Sequence, residues 1–125
     1  MTESSITLQQ AEPVWLPGPM LAEFPDKAIK TIDYGTDGIV MINFNGNVTA
    51  FRNRCLHQEL PLHAGYLTPD GLLLCPWHNW CYQVTTGECL TVPGAELERF
   101  PVRIEEERVW VKVKDDKQAD GISVV

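Results

Sequence analysis

The apolar residues of this chain fall into short runs of β-favouring type that are separated by turn residues. Ile39 to Phe44 form a nearly continuous apolar run, Asn45-Gly46 follows, and Val48 to Phe51 continue the same pattern. Asn-Gly between two such runs is the strongest short-range signal for a β-hairpin, because both residues tolerate positive φ. The sequence therefore predicts a hairpin that leads directly into Cys55.

Further strands are predicted along the chain, and no segment has the pattern of a long amphipathic helix. Leu72 to Leu74 follow the turn residues Pro69-Asp70-Gly71 and lead into Cys75. Towards the carboxyl end, apolar residues alternate with polar ones on both sides of an acidic turn at Glu105 to Glu107. We expect an all-β fold built from antiparallel strands. Residues 115–125 lose this periodicity, and we expect them to form a flexible tail.

Length and charge limit the class of protein. The 125 residues, of which 44% are hydrophobic, fit a single domain. The net charge of −7 argues against binding to nucleic acid or to anionic membranes, and it favours partners with basic surfaces. No stretch approaches the roughly 20 apolar residues of a membrane span. The opening sequence MTESSITLQQ lacks the basic start and apolar core of a secretory signal, so we expect a cytoplasmic protein.

Two pairs of cysteine and histidine form the candidate chemical site. One residue separates Cys55 from His57, two separate Cys75 from His78, and seventeen lie between the pairs. Loops folded together would offer two thiolates and two imidazoles, which suits two metal ions if the sulfurs share one and the imidazoles the other. A single tetrahedral zinc is an alternative, although common zinc signatures run Cys-Cys and then His-His. Chance co-occurrence is a third interpretation.

The pattern C-x-H-x17-C-P-W-H resembles the Rieske motif in its order and in all of its spacings. The resemblance extends from about Trp15 to Lys114. It implies the Rieske iron–sulfur fold, in which an antiparallel β-sheet scaffold carries a small inserted cluster-binding subdomain. A single Rieske domain would then occupy residues 12–114, with the cluster-binding insert at about 53–94.

The same resemblance implies one Rieske-type [2Fe–2S] cluster per chain. Cys55 and Cys75 would bind one iron as thiolates, and His57 and His78 would bind the other as neutral imidazoles. No residue is expected to be catalytic, because the protein would position and tune the cluster without making bonds to an organic substrate.

Five other positions carry details of the resemblance. Tyr82 matches a tyrosine that donates a hydrogen bond to a ligand sulfur, whereas Trp80 replaces a serine donor of the high-potential relatives. Leu60 and Trp77 stand where those relatives have a disulfide. These differences imply a reduction potential in the lower half of the Rieske range of about −150 to +300 mV. Asn79 departs from the glycine that usually follows the second histidine.

The remaining candidate residues have structural interpretations. Cys81 and Cys89 could face each other across a hairpin, and in the cytosol we expect free thiols that pack in the interior. His63 is expected to be a surface or loop-packing residue, because the four-ligand set is complete without it. Trp77 and Trp80 are expected to shield the cluster from water.

Among proteins with this motif, the chain is most similar to a free-standing Rieske ferredoxin. Only His63 remains beyond the motif, so the chain cannot supply the two-histidine triad for the mononuclear iron of ring-hydroxylating oxygenases. The resemblance implies an electron-transfer protein, not an enzyme, that passes electrons from a flavin reductase to a terminal oxygenase as a monomer in transient complexes. The alternatives are a Rieske-like small subunit of a cytoplasmic oxidoreductase, such as the assimilatory nitrite reductase type, and a redox sensor.

Overall fold

The computed structural model describes residues 13–56, 60–76 and 79–114. Within them the chain forms short strands and two 3-10 turns, Leu21–Glu23 and Leu62–Ala64, and no α-helix. The strands are β1 (Pro13–Met20), β2 (Ile29–Ile32), β3 (Ile39–Phe44), β4 (Asn47–Arg52), β5 (Tyr66–Leu67), β6 (Leu72–Leu74), β7 (Cys81–Gln83), β8 (Arg99–Phe100), β9 (Val102–Glu105) and β10 (Arg108–Lys114). The expected all-β class is confirmed. In the part of the chain described, no helix is long and apolar enough to span a membrane.

The strands form three antiparallel sheets. One has the order β1-β10-β9, a second has the order β2-β3-β4-β8, and the third has the order β5-β6-β7. The first two sheets are built from residues on both sides of the chain segment that forms the third. The β5-β6-β7 sheet and both cysteines of the motif lie within residues 53–94, the span predicted for an insert.

The predicted hairpins form, and their turns use left-handed backbone. Asn45 and Gly46 have φ of 57° and 86° between β3 and β4, as the Asn-Gly signal predicts. The acidic turn between β9 and β10 places Glu106 and Glu107 at φ of 53° and 66°. Glutamate does not favour that conformation, so the turn residues do not determine this second hairpin. The pairing of β9 with β10 determines it.

Strand β3 is the centre of the fold, because both of its faces are buried. Val40 and Ile42 pack into one apolar core, while Ile39 and Met41 pack into another, and all four side chains are fully buried. This is why the strand reads as a continuous apolar run and not as an alternating one. The core around Ile39 and Met41 joins β3 to β10. The core around Val40 and Ile42 holds the cysteines of the motif.

Candidate metal centre

Cys55 and Cys75 are buried in the same apolar core, which we call the site core. Their exposed fractions are 2% and 0%. The site core also contains the following buried residues: Val40, Ile42, Phe51, Leu62, Leu73, Tyr82, Val84, Cys89 and Leu97. Cys55 follows β4 after two intervening residues, and Cys75 follows β6 directly, so a strand positions each cysteine. The fold therefore brings the two sulfurs, twenty residues apart in sequence, into one water-poor region.

Each cysteine begins a loop that is closed by a backbone hydrogen bond of the same kind. The backbone N–H of Cys55 donates to the carbonyl oxygen of Leu60 at 2.9 Å, and that of Cys75 donates to the carbonyl oxygen of Trp80 at 2.8 Å. Both bonds span five residues. Two loops of this length are well suited to present a second ligand beside each cysteine.

The other two predicted ligands, His57 and His78, lie outside the described residues, as does Trp77. In the described part, no cluster of three or more histidine, cysteine, aspartate or glutamate side chains is arranged to hold a metal ion. The two buried thiols nevertheless fit an iron–sulfur cluster. They lie in an apolar environment, and a hydroxyl group is placed beside one of them.

That hydroxyl group belongs to Tyr82, which is fully buried on β7. Its oxygen accepts a hydrogen bond from the Leu56 backbone N–H at 3.0 Å and lies 3.2 Å from Cys55 Sγ. A thiolate, the form in which Cys55 would bind a metal, can only accept, so the phenol proton donates to the sulfur in that state. Burial, with the hydrogen bond to Cys55, raises the pKa of Tyr82 well above its ordinary value of 10.0, which keeps that proton in place. The predicted contact between Tyr82 and a candidate ligand sulfur is confirmed.

Gly65 is where the first loop approaches the second. Its backbone is extended, with no positive φ, and a Cβ atom there would collide with the Leu74 carbonyl oxygen, one residue before Cys75. Tyr66 then pairs with Leu74 in the β5-β6 ladder. Glycine is required here because two backbone segments come close together, so this residue sets the spacing between the candidate ligand loops.

His63 does not lie among the buried residues of the site core. It is exposed, and its Nδ1 lies 2.8 Å from the Nδ2 atom of Asn53. The expectation that His63 is a surface or loop-packing residue is confirmed. The link to Asn53 was missed, because nothing in the spacing of the two residues indicates that they meet.

Asn79 lies within the second loop, and Trp80 is the residue that closes it. Trp80 is partly buried and packs against the site core, and its shielding of the cluster from water stays a prediction. Asn79 has φ of 52°, which is the left-handed conformation that asparagine adopts more readily than most residues. The glycine that is usual at this position could adopt the same conformation.

The predicted free thiols of Cys81 and Cys89 are confirmed, but the possible arrangement in which they face each other is not found. The register pairs Cys89 with Tyr82, not with Cys81, so the two thiols are offset by one residue and do not face each other. Both are free. Cys89 packs in the site core, whereas Cys81 is only partly buried, and burial raises the pKa of its thiol.

The comparisons with known proteins identify the family. The family model of the Rieske [2Fe–2S] domain matches residues 14–101. The chain belongs to the Rieske [2Fe–2S] domain family. The expected cofactor, a Rieske-type [2Fe–2S] cluster, is confirmed at the level of the family, and the expected Rieske fold is confirmed with it.

Two relatives show the range of proteins that share this Rieske domain. The ferredoxin component of the alkene monooxygenase system of Xanthobacter autotrophicus is 30% identical over 86 residues, which are 69% of this chain and 70% of that protein. Apoptosis-inducing factor 3 of Homo sapiens is 34% identical over 92 residues, 73% of this chain. The match spans only 15% of the length of the human protein.

A solved structure supports the same architecture. The ferredoxin of carbazole 1,9a-dioxygenase from Nocardioides aromaticivorans superimposes with a TM-score of 0.70 at 20% identity, covering 78% of this chain and 96% of the ferredoxin. At that identity the likeness establishes the fold.

Proposed function

We propose that this Rieske protein is a one-electron carrier whose cluster is bound by Cys55, His57, Cys75 and His78. The observation that carries the proposal is the burial of the two motif cysteines in one core, each at the start of a loop closed over five residues. Each of these loops contains one of the motif histidines. The bound cluster would supply the exchange of one electron at a time.

The residues of the chain bind the cluster and adjust its surroundings. Cys55 and Cys75 would bind as thiolates from the apolar core, which limits the access of water to that side of the site. The imidazoles of His57 and His78 would bind the other iron. Tyr82 holds a hydroxyl proton against Cys55 Sγ, where it favours the more negative, reduced state.

We infer that residues 12–114 act as one Rieske domain with a cluster-binding insert at about 53–94, in a protein that works in the cytoplasm. The family match over residues 14–101 and the location of the β5-β6-β7 sheet support this division. The charge of −7 supports partners other than nucleic acid or anionic membranes.

The proposed partners are a flavin reductase as electron donor and a terminal oxygenase as acceptor. The alkene monooxygenase ferredoxin component supports this role, because this chain matches 70% of its length. Beside Cys55, the exposed Leu56 borders a cleft of about 410 Å³ that is lined by both arginine and glutamate side chains. An exposed apolar residue surrounded by side chains of both charges suits a small, transient contact between this chain, as a monomer, and a partner protein.

A second candidate is a fixed Rieske module within a larger oxidoreductase. The match to 15% of apoptosis-inducing factor 3 favours it, because that protein contains a similar domain as a minor part of its length. A shuttle elutes alone on gel filtration and reduces an added oxygenase. A fixed module co-purifies with its redox partner in a constant ratio.

The ligand set is tested by the metal content and spectra of the anaerobically purified protein. We expect about two irons and two acid-labile sulfides per chain, with a Rieske-type electron paramagnetic resonance signal after reduction. Replacing His57, His78 or Cys75 by alanine should abolish that signal. Cys81→Ala is the matched control, since Cys81 is a free thiol outside the motif, and it should retain the signal. Stoichiometric zinc without the signal would refute the proposal.

A further inference from the structure

Asn53 and His63 form a hydrogen-bonded pair at the base of the first ligand loop. Asn53 Oδ1 accepts from the His63 backbone N–H at 3.0 Å, and Asn53 Nδ2 lies 2.8 Å from His63 Nδ1. One side-chain amide thus contacts both the backbone and the ring of a residue ten positions further on. Asn53 is only 7% exposed, and its backbone N–H donates to the Gly38 carbonyl oxygen at 3.0 Å. Burial and this backbone hydrogen bond therefore hold Asn53 against the scaffold, two residues before the loop begins at Cys55.

The donors and acceptors of this pair determine where His63 carries its proton. A backbone N–H can only donate, so the amide oxygen of Asn53 must face it, and the amide nitrogen must face the ring. The amide nitrogen is also only a donor. His63 Nδ1 must then accept, which leaves the ring proton on Nε2. A proton on Nδ1 would place two donors against each other.

Two contacts join the ends of the first ligand loop, and the Asn53–His63 pair is the outer one. The inner contact is the backbone hydrogen bond from Cys55 to Leu60, and residues 56–59, with His57 among them, lie between these two residues in the sequence. Directly before His63, Leu62 is fully buried in the site core with both motif cysteines. The Asn53–His63 pair therefore joins the end of β4 to the 3-10 turn that anchors the far side of the loop. It therefore holds the two ends of the loop close together.

We propose that His63 is a positioning residue for the cluster: its Nδ1, by accepting from Asn53, holds the first ligand loop in the arrangement that binds iron. The proposal rests on the ligand set of the proposed function. It assigns a role to the one histidine that belongs to neither Cys-His pair and is not among the four proposed ligands.

Two substitutions of His63 separate the ring hydrogen bond from other effects. His63→Leu removes the acceptor and leaves the backbone bond to Asn53. His63→Asn retains an acceptor, because its Oδ1 stands at the position of the histidine Nδ1. The side chain is exposed, so neither change disturbs the core. Thr68→Val is the matched control, since it removes a side-chain acceptor for the Leu72 backbone N–H at 3.1 Å, outside the ligand loops.

The readouts are the rate of cluster loss to a chelator, followed by visible absorbance, and the linewidth of the reduced cluster in electron paramagnetic resonance. We expect His63→Leu to lose the cluster about fivefold faster, a factor that corresponds to roughly 1 kcal/mol, and to broaden the spectrum. His63→Asn and Thr68→Val should stay within about twofold of the wild type, with unchanged spectra.

A wild-type rate and spectrum for His63→Leu would overturn the positioning role, and so would equal losses for the leucine and asparagine variants. Either result, obtained on a wild type that contains the cluster, leaves the proposed function standing. A wild-type chain that binds no iron–sulfur cluster would instead refute the proposed function, and this inference with it.

Discussion

Removing the Tyr82 hydroxyl should lower the reduction potential of the cluster. In Tyr82→Phe the ring stays in the site core, but the donor 3.2 Å from Cys55 Sγ is lost. Two ferric ions, two sulfides and two thiolates sum to zero formal charge, and reduction makes the cluster an anion. The hydroxyl proton therefore stabilises the reduced state more than the oxidised one.

The size of the effect follows from the strength of one such bond. If the donor favours the reduced state by about 1 kcal/mol, its loss lowers a one-electron potential by roughly 40 mV. The hydroxyl also accepts the hydrogen bond from the Leu56 backbone N–H, and the Tyr82 side chain is fully buried. Its loss should therefore also lower the free energy of unfolding, by about 1 to 2 kcal/mol.

Protein-film voltammetry near neutral pH measures the shift, and Tyr66→Phe is the matched control. Tyr66 is 63% exposed on β5, so removing its hydroxyl should leave the potential unchanged. The wild-type midpoint should lie in the lower half of the range of about −150 to +300 mV. A Tyr82→Phe potential equal to the wild-type value, with an intact cluster spectrum, would show that the hydroxyl does not act on the sulfur. A raised potential would contradict the sign of the argument.

Three further predictions concern the scaffold and the partner. Gly65→Ala should destabilise the fold to chemical denaturation by about 2 kcal/mol or more, because its Cβ meets the Leu74 carbonyl, whereas Gly94→Ala, which meets open space at φ of 95°, should cost only about 1 kcal/mol. The Asn45 backbone N–H holds the pKa of Asp26 below its ordinary value of 3.8, so this contribution to stability is present above about pH 4 and is lost as the pH falls through the lowered pKa. Asp26→Asn should therefore show a smaller loss of thermal stability on acidification than the wild type. Raising the ionic strength from about 0.01 M to about 0.15 M should slow electron transfer from a basic reductase, and a rate indifferent to salt would favour a fixed module.

The sequence by itself was sufficient to predict the local strands and hairpins and to identify the candidate cluster ligands. The Asn45-Gly46 signal determines a tight hairpin through backbone conformation alone, so the β3-β4 pairing could be predicted without knowledge of distant contacts. The Cys-His pairs likewise predict a metal site from their spacing alone, since each pair is confined to three or four consecutive residues of the sequence.

The tertiary structure decided what depends on contacts between distant segments. In the observed strand register Cys89 lies opposite Tyr82 and not opposite Cys81. This register depends on which face of each strand is buried. A register shifted by one residue would use the same amino-acid composition, so composition does not distinguish the two. The contact of Asn53 with His63 depends on a loop that folds back onto the end of a strand. Local sequence patterns predict the backbone conformation of residues that are close in sequence. These long-range pairings depend instead on how the whole core packs.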